Sequence, residues 1–482
     1  MSALAFEHHL NSPQGNRRLA GGYAAAAGSE TCGDRMRFSV RSDGERLQDA
    51  GFEAWGCGAA LAAGSAAVTL VRGLPLLEAA RVGWREIEAE LGGLSPAKRH
   101  AAQVAEDALH RALGAAASGG ATIERAGDGR TLVAMSGGVD SAVAALHCAR
   151  SGEVVAVTLE LWSDRENDGE RSCCSASAVA QARALAHSMD LPHFTVDLRE
   201  RFRAGVVEPF IAGYAAGETP NPCIGCNGHV RLDAMLELAE RLGCESLATG
   251  HYARTAEIQD SGGPLLRVAA DVAKDQTYML SALSPASLAR MRFPLGDLTK
   301  PEVRRIAAAA GLPVAAKADS QDLCFLAGTD RARFLARHGN LGDRPGSIVD
   351  RAGRVLATHR GQHRFTVGQR RGLGVSGGEP LYVLDKDAAI NRVTVGPRSS
   401  LLRNRVKVRS ACLRRAGERV DRVKLRYRSK PLPARVLGDP SAGRHPSLEI
   451  ELGQAAEGVA PGQLACLMEG ELVLGWGTIT RA

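Results

Sequence analysis

The feature that most constrains this chain is a short turn set between two kinds of periodicity. Thr131-Leu-Val-Ala-Met135 is a short apolar run, Ser136-Gly137-Gly138-Val139-Asp140-Ser141 follows at once, and residues 141–150 are helical in composition. Residues 154–161 read as the next strand, 176–189 as a helix and 193–196 as a further strand. Strands and helices in alternation demand a parallel sheet covered by helices. The two glycines let the backbone approach a ligand closely and take positive φ. Their amides then lie at the start of a helix, where partial positive charge favours phosphate. Ser136 and Ser141 add hydroxyls, and Asp140 reads as a Mg²⁺ ligand or as the residue that orients the loop. The lysine of a G-x-x-x-x-G-K-[ST] loop is missing, which excludes the kinase-like NTPases. The alternative is a plain structural strand-to-helix turn, which two glycines flanked by Ser and Asp disfavour.

Length and composition set the frame around this motif. The 482 residues, 45% of them hydrophobic, make several packed domains rather than a disordered chain. The start of the sequence lacks a basic n-region followed by an apolar h-region, and the near-apolar run at 58–71 is too short for a bilayer, so the expectation is a cytosolic protein with no membrane partner. Eleven cysteines in such a chain argue against a disulfide framework and for thiol chemistry or metal and iron–sulfur ligation. The net charge of +7 is concentrated at one end: residues 341–482 hold 25 Lys+Arg against 13 Asp+Glu. That third is where a polyanion is expected.

Small residues at 112–130 close a helical pattern and read as a linker. After about residue 345, Gly and Pro become frequent and short β-like runs follow one another. Arg403, Arg405, Lys407 and Arg409 alternate, as do Lys424, Arg426, Arg428 and Lys430, while Val406, Val408, Val423, Leu425 and Tyr427 fall between them. A period of two predicts a half-buried antiparallel sheet or small barrel with a basic outer face.

Ser136–Ser141 resembles the PP-loop of ATP pyrophosphatases, which adenylate a substrate and release pyrophosphate. Further stretches narrow the likeness: Cys173-Cys174-Ser175, Thr219-Pro-Asn-Pro222, Cys226-Asn227, the run from Ala248 to Arg254, Lys274-Asp275-Gln276-Thr-Tyr-Met-Leu280, Asp319-Ser-Gln-Asp-Leu-Cys-Phe325 and Phe365-Thr-Val-Gly-Gln-Arg-Arg-Gly-Leu373. In this order they resemble the tRNA-uridine 2-sulfurtransferase family over roughly residues 128–482. The resemblance implies that Met135, Ser136, Gly137, Gly138, Val139 and Ser141, with Gly250, bind ATP. It implies that Gly250-His251 and Lys274, Asp275 and Gln276 line the site near the nucleotide and the target base. Gln369 and Arg370 would meet tRNA near the anticodon. The tRNA partners would be those for Lys, Glu and Gln, thiolated at the wobble uridine, and Mg²⁺ would accompany ATP. Catalysis would fall to Cys226, Cys324 and Asp140, with Cys324 carrying a persulfide that Cys226 resolves through a disulfide.

Cys223 departs from the pattern of the common family members, which carry an acidic residue there. Cys223-Ile-Gly-Cys226 plus Cys324 is a three-thiolate set that suits a 4Fe–4S cluster with one iron left open. Two other readings stand beside it: Cys223 as a small buried residue, and zinc as the metal. The role of Cys173-Cys174 is open, and Cys148, Cys244, Cys412 and Cys466 read as packing residues.

Residues 1–115 carry a second series: His9-Leu-Asn-Ser-Pro13, Cys32-Gly-Asp34, Gly56-Cys57-Gly58 and Lys98-Arg-His100. It resembles the iron–sulfur scaffold family of the IscU/NifU N-terminal type. That pattern has a third cysteine directly after the histidine, where this chain has Ala101. Cys32, Asp34, Cys57 and His100 remain a four-ligand set for 2Fe–2S or zinc. The alternatives are a domain that only docks a cysteine desulfurase or passes on a cluster, and a domain with no metal.

The expected fold class is multidomain α/β: an α+β IscU-like domain at 1–115, a linker at 116–130, a parallel-sheet, Rossmann-like PP-loop domain at 131–330, a small linking domain at 331–400 and a C-terminal β-barrel at 401–482. The expected function is ATP-dependent 2-thiolation of tRNA, with a cysteine desulfurase or sulfur carrier as donor. A cluster carrier or tRNA-binding protein without thiolation activity, a persulfide-only mechanism, and another PP-loop ligase or amidotransferase are the alternatives.

Overall fold

The computed structural model of the chain describes residues 3–28, 33–120, 123–125, 129–164, 175–258, 262–318, 323–326, 328–375 and 379–481. These divide into two compact units, one made of Met1–Arg199, Ala234–His251 and Arg290–Cys324, the other of Glu200–Asp233, Tyr252–Ala289 and Phe325–Ala482.

The first unit begins with a three-stranded antiparallel sheet of Tyr23–Gly28, Arg35–Ser42 and Leu47–Trp55. Met36, Phe38, Val40, Ala50 and Phe52 point to one face and are buried, the period-two pattern of a sheet covered on one side. The Ala/Gly-rich helix Gly58–Val71 lies against it: a Cβ at Gly64 would come within 2.3 Å of the Phe52 ring. The helix Arg99–Gly119 packs on the first two strands of this sheet.

A five-stranded parallel sheet follows, in the order Met291–Arg292, Ser246–Ala248, Thr131–Ala134, Val154–Glu160, His193–Asp197. All seven residues of Val154–Glu160 are buried, as a strand covered on both faces requires. The helices Val139–Ala149, Ala176–Ser188 and Lys300–Ala309 pack around it.

The scaffold-type helix does not stop where the small residues begin. The stretch read from sequence as a linker continues it to Gly119, because small side chains are what its packing partner demands. That partner is the edge strand His193–Asp197. His110 Nδ1 lies 2.8 Å from the His193 carbonyl, and a Cβ at Gly114 would sit 1.9 Å from the Thr195 carbonyl. Four residues along the helix thus match two along the strand, about 6 Å in each case, so the two run side by side in the same direction. Arg183, 1% exposed, is placed between Glu106 Oε2 at 3.4 Å and Asp107 Oδ1 at 3.1 Å, and Arg111 pairs with Glu160. Burial comes first among the influences on Glu106 and raises its carboxyl above the usual range, while Arg183 pulls the other way. His187 is pushed down to about 4 by burial.

In the second unit a four-stranded sheet runs in the order Val355–His359, Gly346–Val349, Arg392–Gly396, Tyr382–Asp387. Beyond it the strands Leu402–Leu413, Gly443–Glu457, Leu432–Val436, Arg422–Lys424, Leu464–Glu469 and Leu472–Ile479 pair in that order, and the last closes back on the first. This is a closed barrel filled by Val406, Val408, Ile450, Leu467 and Leu474. Arg403, Arg405, Lys407 and Arg409 are exposed while Val406 and Val408 are buried, so the first basic stripe lies on the outer face. The second stripe breaks: strand structure ends at Lys424, and residues 426–429 form a turn. Ser429 donates to the Arg426 carbonyl, and Pro431 and Pro433 next in the chain offer no N–H for a ladder. Among the described residues no helix is long and apolar enough to cross a membrane.

Candidate active site

The Ser-Gly-Gly turn lies at the C-terminal end of Thr131–Ala134, a central strand, and opens the helix Val139–Ala149. Ligands of open parallel sheets bind at that edge. Gly137 has φ +68°, which an L side chain resists. Ser141 Oγ accepts from the Ser136 amide at 3.1 Å and donates to the Gly138 carbonyl at 3.0 Å. The two hydroxyls of Ser136 and Ser141 are 3.2 Å apart. Met135 and Val139 are buried and fix the two ends of the turn in the core. Gly250 lies against the turn: a Cβ there would be 2.8 Å from the Asp140 carbonyl carbon and the Ser141 nitrogen. Beside it, His251 Nδ1 is 2.8 Å from Thr249 Oγ1.

Two lysines reach this turn from segments that follow it by more than 150 residues. Lys300 Nζ is 2.8 and 2.7 Å from the two carboxylate oxygens of Asp140. Lys317 Nζ donates to the Gly137 carbonyl at 2.9 Å. Neither is visible as a motif in the sequence. The only local signal is Thr299-Lys-Pro-Glu302, a capping box that starts a helix and thereby fixes Lys300 at its first position.

Cys223 and Cys226 lie in the second unit, three residues apart on a helical segment that begins at Pro222. Such spacing puts side chains on one face. Asn221 caps the segment by accepting from the Cys223 amide at 3.1 Å. Burial pushes the Cys223 thiol up to about 11, and the neighbouring Cys226 adds to the shift. The preceding turn is tied to the barrel, with Thr219 N donating to the Pro461 carbonyl and Gln463 Nε2 to the Thr219 carbonyl. Cys324 is half-buried at the start of a short helical turn. Phe325, next in the chain, packs among Phe202, Phe210 and Phe334. Cys173 and Cys174, and 319–322 ahead of Cys324, lie outside the described residues. Cys148, Cys244 and Cys466 are buried, Cys412 half-buried.

Of the residues read as tRNA contacts, Asp275 is buried and holds Thr277 Oγ1 at 2.9 Å, the Ala269 amide and Lys424. Gln276 Oε1 accepts from the Tyr252 amide at 2.9 Å, and Lys274 is half-exposed. Gln369 folds back on its own loop, accepting from the Thr366 amide and donating to the Arg371 carbonyl, and Arg370 is exposed.

In the scaffold-type domain, Asp34, Cys57 and His100 each bring a ligand atom within 4.8 Å of the others. His100 Nε2 is 2.8 Å and Cys57 Sγ 3.4 Å from Asp34 Oδ2. Burial works against the Asp34 carboxylate, yet the Cys57 amide, His100 and the Cys57 thiol hold its carboxyl below the usual range. Gly56 is required, since a Cβ would sit 2.0 Å from Asp34 Oδ1. Ala101 is fully buried in the core, and Cys32 lies outside the described residues.

Comparison with known proteins finds four family models along the chain. Residues 6–118 match the NifU-like N terminal domain, 129–328 the tRNA methyl transferase HUP domain, 332–397 the tRNA methyl transferase PRC-barrel domain and 405–479 the aminomethyltransferase beta-barrel domain. The bifunctional protein NifU/MnmA of Rubrobacter xylanophilus is 44% identical over 98% of this chain and 97% of its own length. The chain belongs to the tRNA-specific 2-thiouridylase family, in its form fused to a NifU-like domain. The tRNA-specific 2-thiouridylases MnmA of Chloroflexus aurantiacus and Sorangium cellulosum are each 43% identical over 73% of this chain, covering 98% and 92% of their own lengths. Those two thiouridylases match only about three quarters of the chain, whereas the Rubrobacter relative spans both the NifU-like domain and the thiouridylase part.

Proposed function

We propose that the protein uses ATP to replace the C2 oxygen of a tRNA wobble uridine, in tRNAs of the Lys, Glu and Gln type, by sulfur. The observation that carries this reading is the Ser-Gly-Gly turn at the end of a central parallel strand, in a chain of the thiouridylase family that also holds Cys226 and Cys324. The uridine O2 attacks the α-phosphorus of ATP and pyrophosphate leaves. Oxygen, a poor leaving group on a pyrimidine, departs as part of AMP once sulfur attacks C2. In the persulfide route the outer sulfur of a Cys324 persulfide bonds to C2 and AMP leaves. The Cys226 thiolate then attacks the Cys324 sulfur, which forms a disulfide and leaves C2=S on the tRNA. A cellular dithiol returns the pair to thiols.

The residues also suit a 4Fe–4S cluster. Cys223 and Cys226 share one helical face, and the raised Cys223 thiol becomes a thiolate only beside a positive group. With Cys324 they would leave one iron open to an additional sulfide. Both oxygens of Asp140 pair with Lys300, so Asp140 orients the turn, and Mg²⁺ belongs with the nucleotide's own phosphates. The exposed basic strand of the barrel holds the tRNA backbone, which positions rather than specifies. The NifU-like domain binds an iron–sulfur cluster or zinc at Asp34, Cys57 and His100, with Cys32 as a further ligand, and receives sulfur from a cysteine desulfurase or carrier.

The test is pyrophosphate release by the full chain. It should require tRNA and ATP and be lost in Asp140→Ala, whereas Cys324→Ala should keep it and lose thiolation. Release without tRNA, or thiolation that survives Cys324→Ala, would refute the reading. Anaerobic iron and sulfide analysis of Cys223→Ala decides between the cluster and persulfide routes.

A further inference from the structure

The Ser136–Ser141 turn offers an anion its amides, two hydroxyls and a helix start, but it contains no cation. It also carries Asp140 in the first turn of that helix, where a carboxylate repels a polyphosphate unless its charge is offset. The fold offsets it. Lys300, buried at 8% exposure, reaches both Asp140 oxygens. Its helix is fixed at the start by Thr299 and Glu302 and packs on Val139–Ala149.

Lys317 lies differently. It is exposed, and its ammonium is shared between the Gly137 carbonyl at 2.9 Å and Gln181 Oε1 at 3.2 Å. Its backbone is pinned to the Lys300 helix, because Arg304 donates to the carbonyls of Ala315 and Lys317 at 2.8 and 3.0 Å. One rigid element therefore brings two ammonium groups to the same turn, one buried against its carboxylate and one on its rim. A neutral carbonyl is a weak partner for an ammonium compared with a phosphate oxygen.

We infer that Lys317 and Lys300 are the cationic half of the nucleotide-phosphate site: Lys317 leaves the Gly137 carbonyl to bind the β- and γ-phosphates, and Lys300 neutralises Asp140 so that the helix start accepts them. This rests on the reading of the turn as an ATP site. Lys317 is then a phosphate-binding residue and Lys300 a positioning residue.

The experiment is calorimetric titration of the full chain with Mg²⁺ and α,β-methylene-ATP, which cannot adenylate. Lys317→Ala should weaken binding about tenfold to hundredfold, Lys317→Arg far less, and tRNA affinity should stay unchanged. In steady-state pyrophosphate release the Lys317→Ala change should appear mainly in the KM for ATP. Lys300→Met should also weaken nucleotide binding, and the double variant Asp140→Asn with Lys300→Met should recover part of the loss, since the repelling charge is gone. Thermal melting checks that the Lys300 variants fold; Lys317 is exposed, so its variants test the assignment without that concern. Wild-type affinity in Lys317→Ala, or no recovery in the double variant, overturns the assignment while leaving the ATP reading intact. A wild-type chain that binds no nucleotide overturns both.

Discussion

Cys57 and Cys223 stand in opposite surroundings. Cys57 is exposed, next to a carboxylate and an imidazole that already share a short hydrogen bond. Cys223 is half-buried on a helical segment beside a second thiol, and burial pushes its thiol up to about 11. The first arrangement gives open access to a partner or an ion and needs little rearrangement. The second loses its proton less readily, and a positive group beside it would favour the thiolate.

The sharpest way to separate the two is activity. Cys324→Ala should lower tRNA thiolation at least about a thousandfold, whereas Cys57→Ala should leave tRNA-dependent pyrophosphate release within about twofold of wild type. Loss of pyrophosphate release in Cys57→Ala would end the contrast. Next in size is the seam between the two halves of the first unit. Arg183→Met leaves Glu106 buried without its cation and should cost about 3–5 kcal/mol in denaturant unfolding. A variant as stable as wild type would show that the halves are not joined there. Thiol labelling comes third. At pH 8 a thiol with a pKa of about 11 is only about 0.1% thiolate, so in the metal-free chain Cys223 should react with iodoacetamide about a hundredfold more slowly than a small free thiol. Smallest is the pH effect. His187 has a folded pKa of about 4, below its unfolded value near 6.5, so protonation favours the unfolded chain. Its contribution is intact above pH 6.5 and is lost as pH falls, by about 2 kcal/mol at pH 5. His187→Gln should flatten that part of the stability–pH curve.

The nucleotide turn and the strand–helix alternation around it were legible because their signals are local. Two glycines, a helix start and a fully apolar strand all fall within thirty residues or so of one another. The barrel's first basic stripe was legible for the same reason, since a period of two survives wherever a strand is long enough. The second stripe failed from residue 426 on, where a turn at 426–429 and then Pro431 and Pro433 override the alternation. Lys300, Lys317 and Arg183 were not legible at all. Each is an ordinary basic residue in a helical or loop stretch, and only tertiary packing brings it to Asp140, Gly137 or Glu106. The same is true of the helix that runs on to Gly119: its small residues resemble a linker until the Thr195 carbonyl is set against Gly114.

The common direction of that helix and the strand His193–Asp197 has a consequence for traffic through the molecule. His100 stands one helical residue past the start, well before the point level with His193, while the Ser-Gly-Gly turn opens at the far ends of the strands. Along the sheet axis the separation is on the order of 25 Å. No side-chain swing spans that gap. An ion or group held beside Cys57 would therefore sit at the opposite pole of the first unit from the Ser-Gly-Gly turn, beyond direct reach of it.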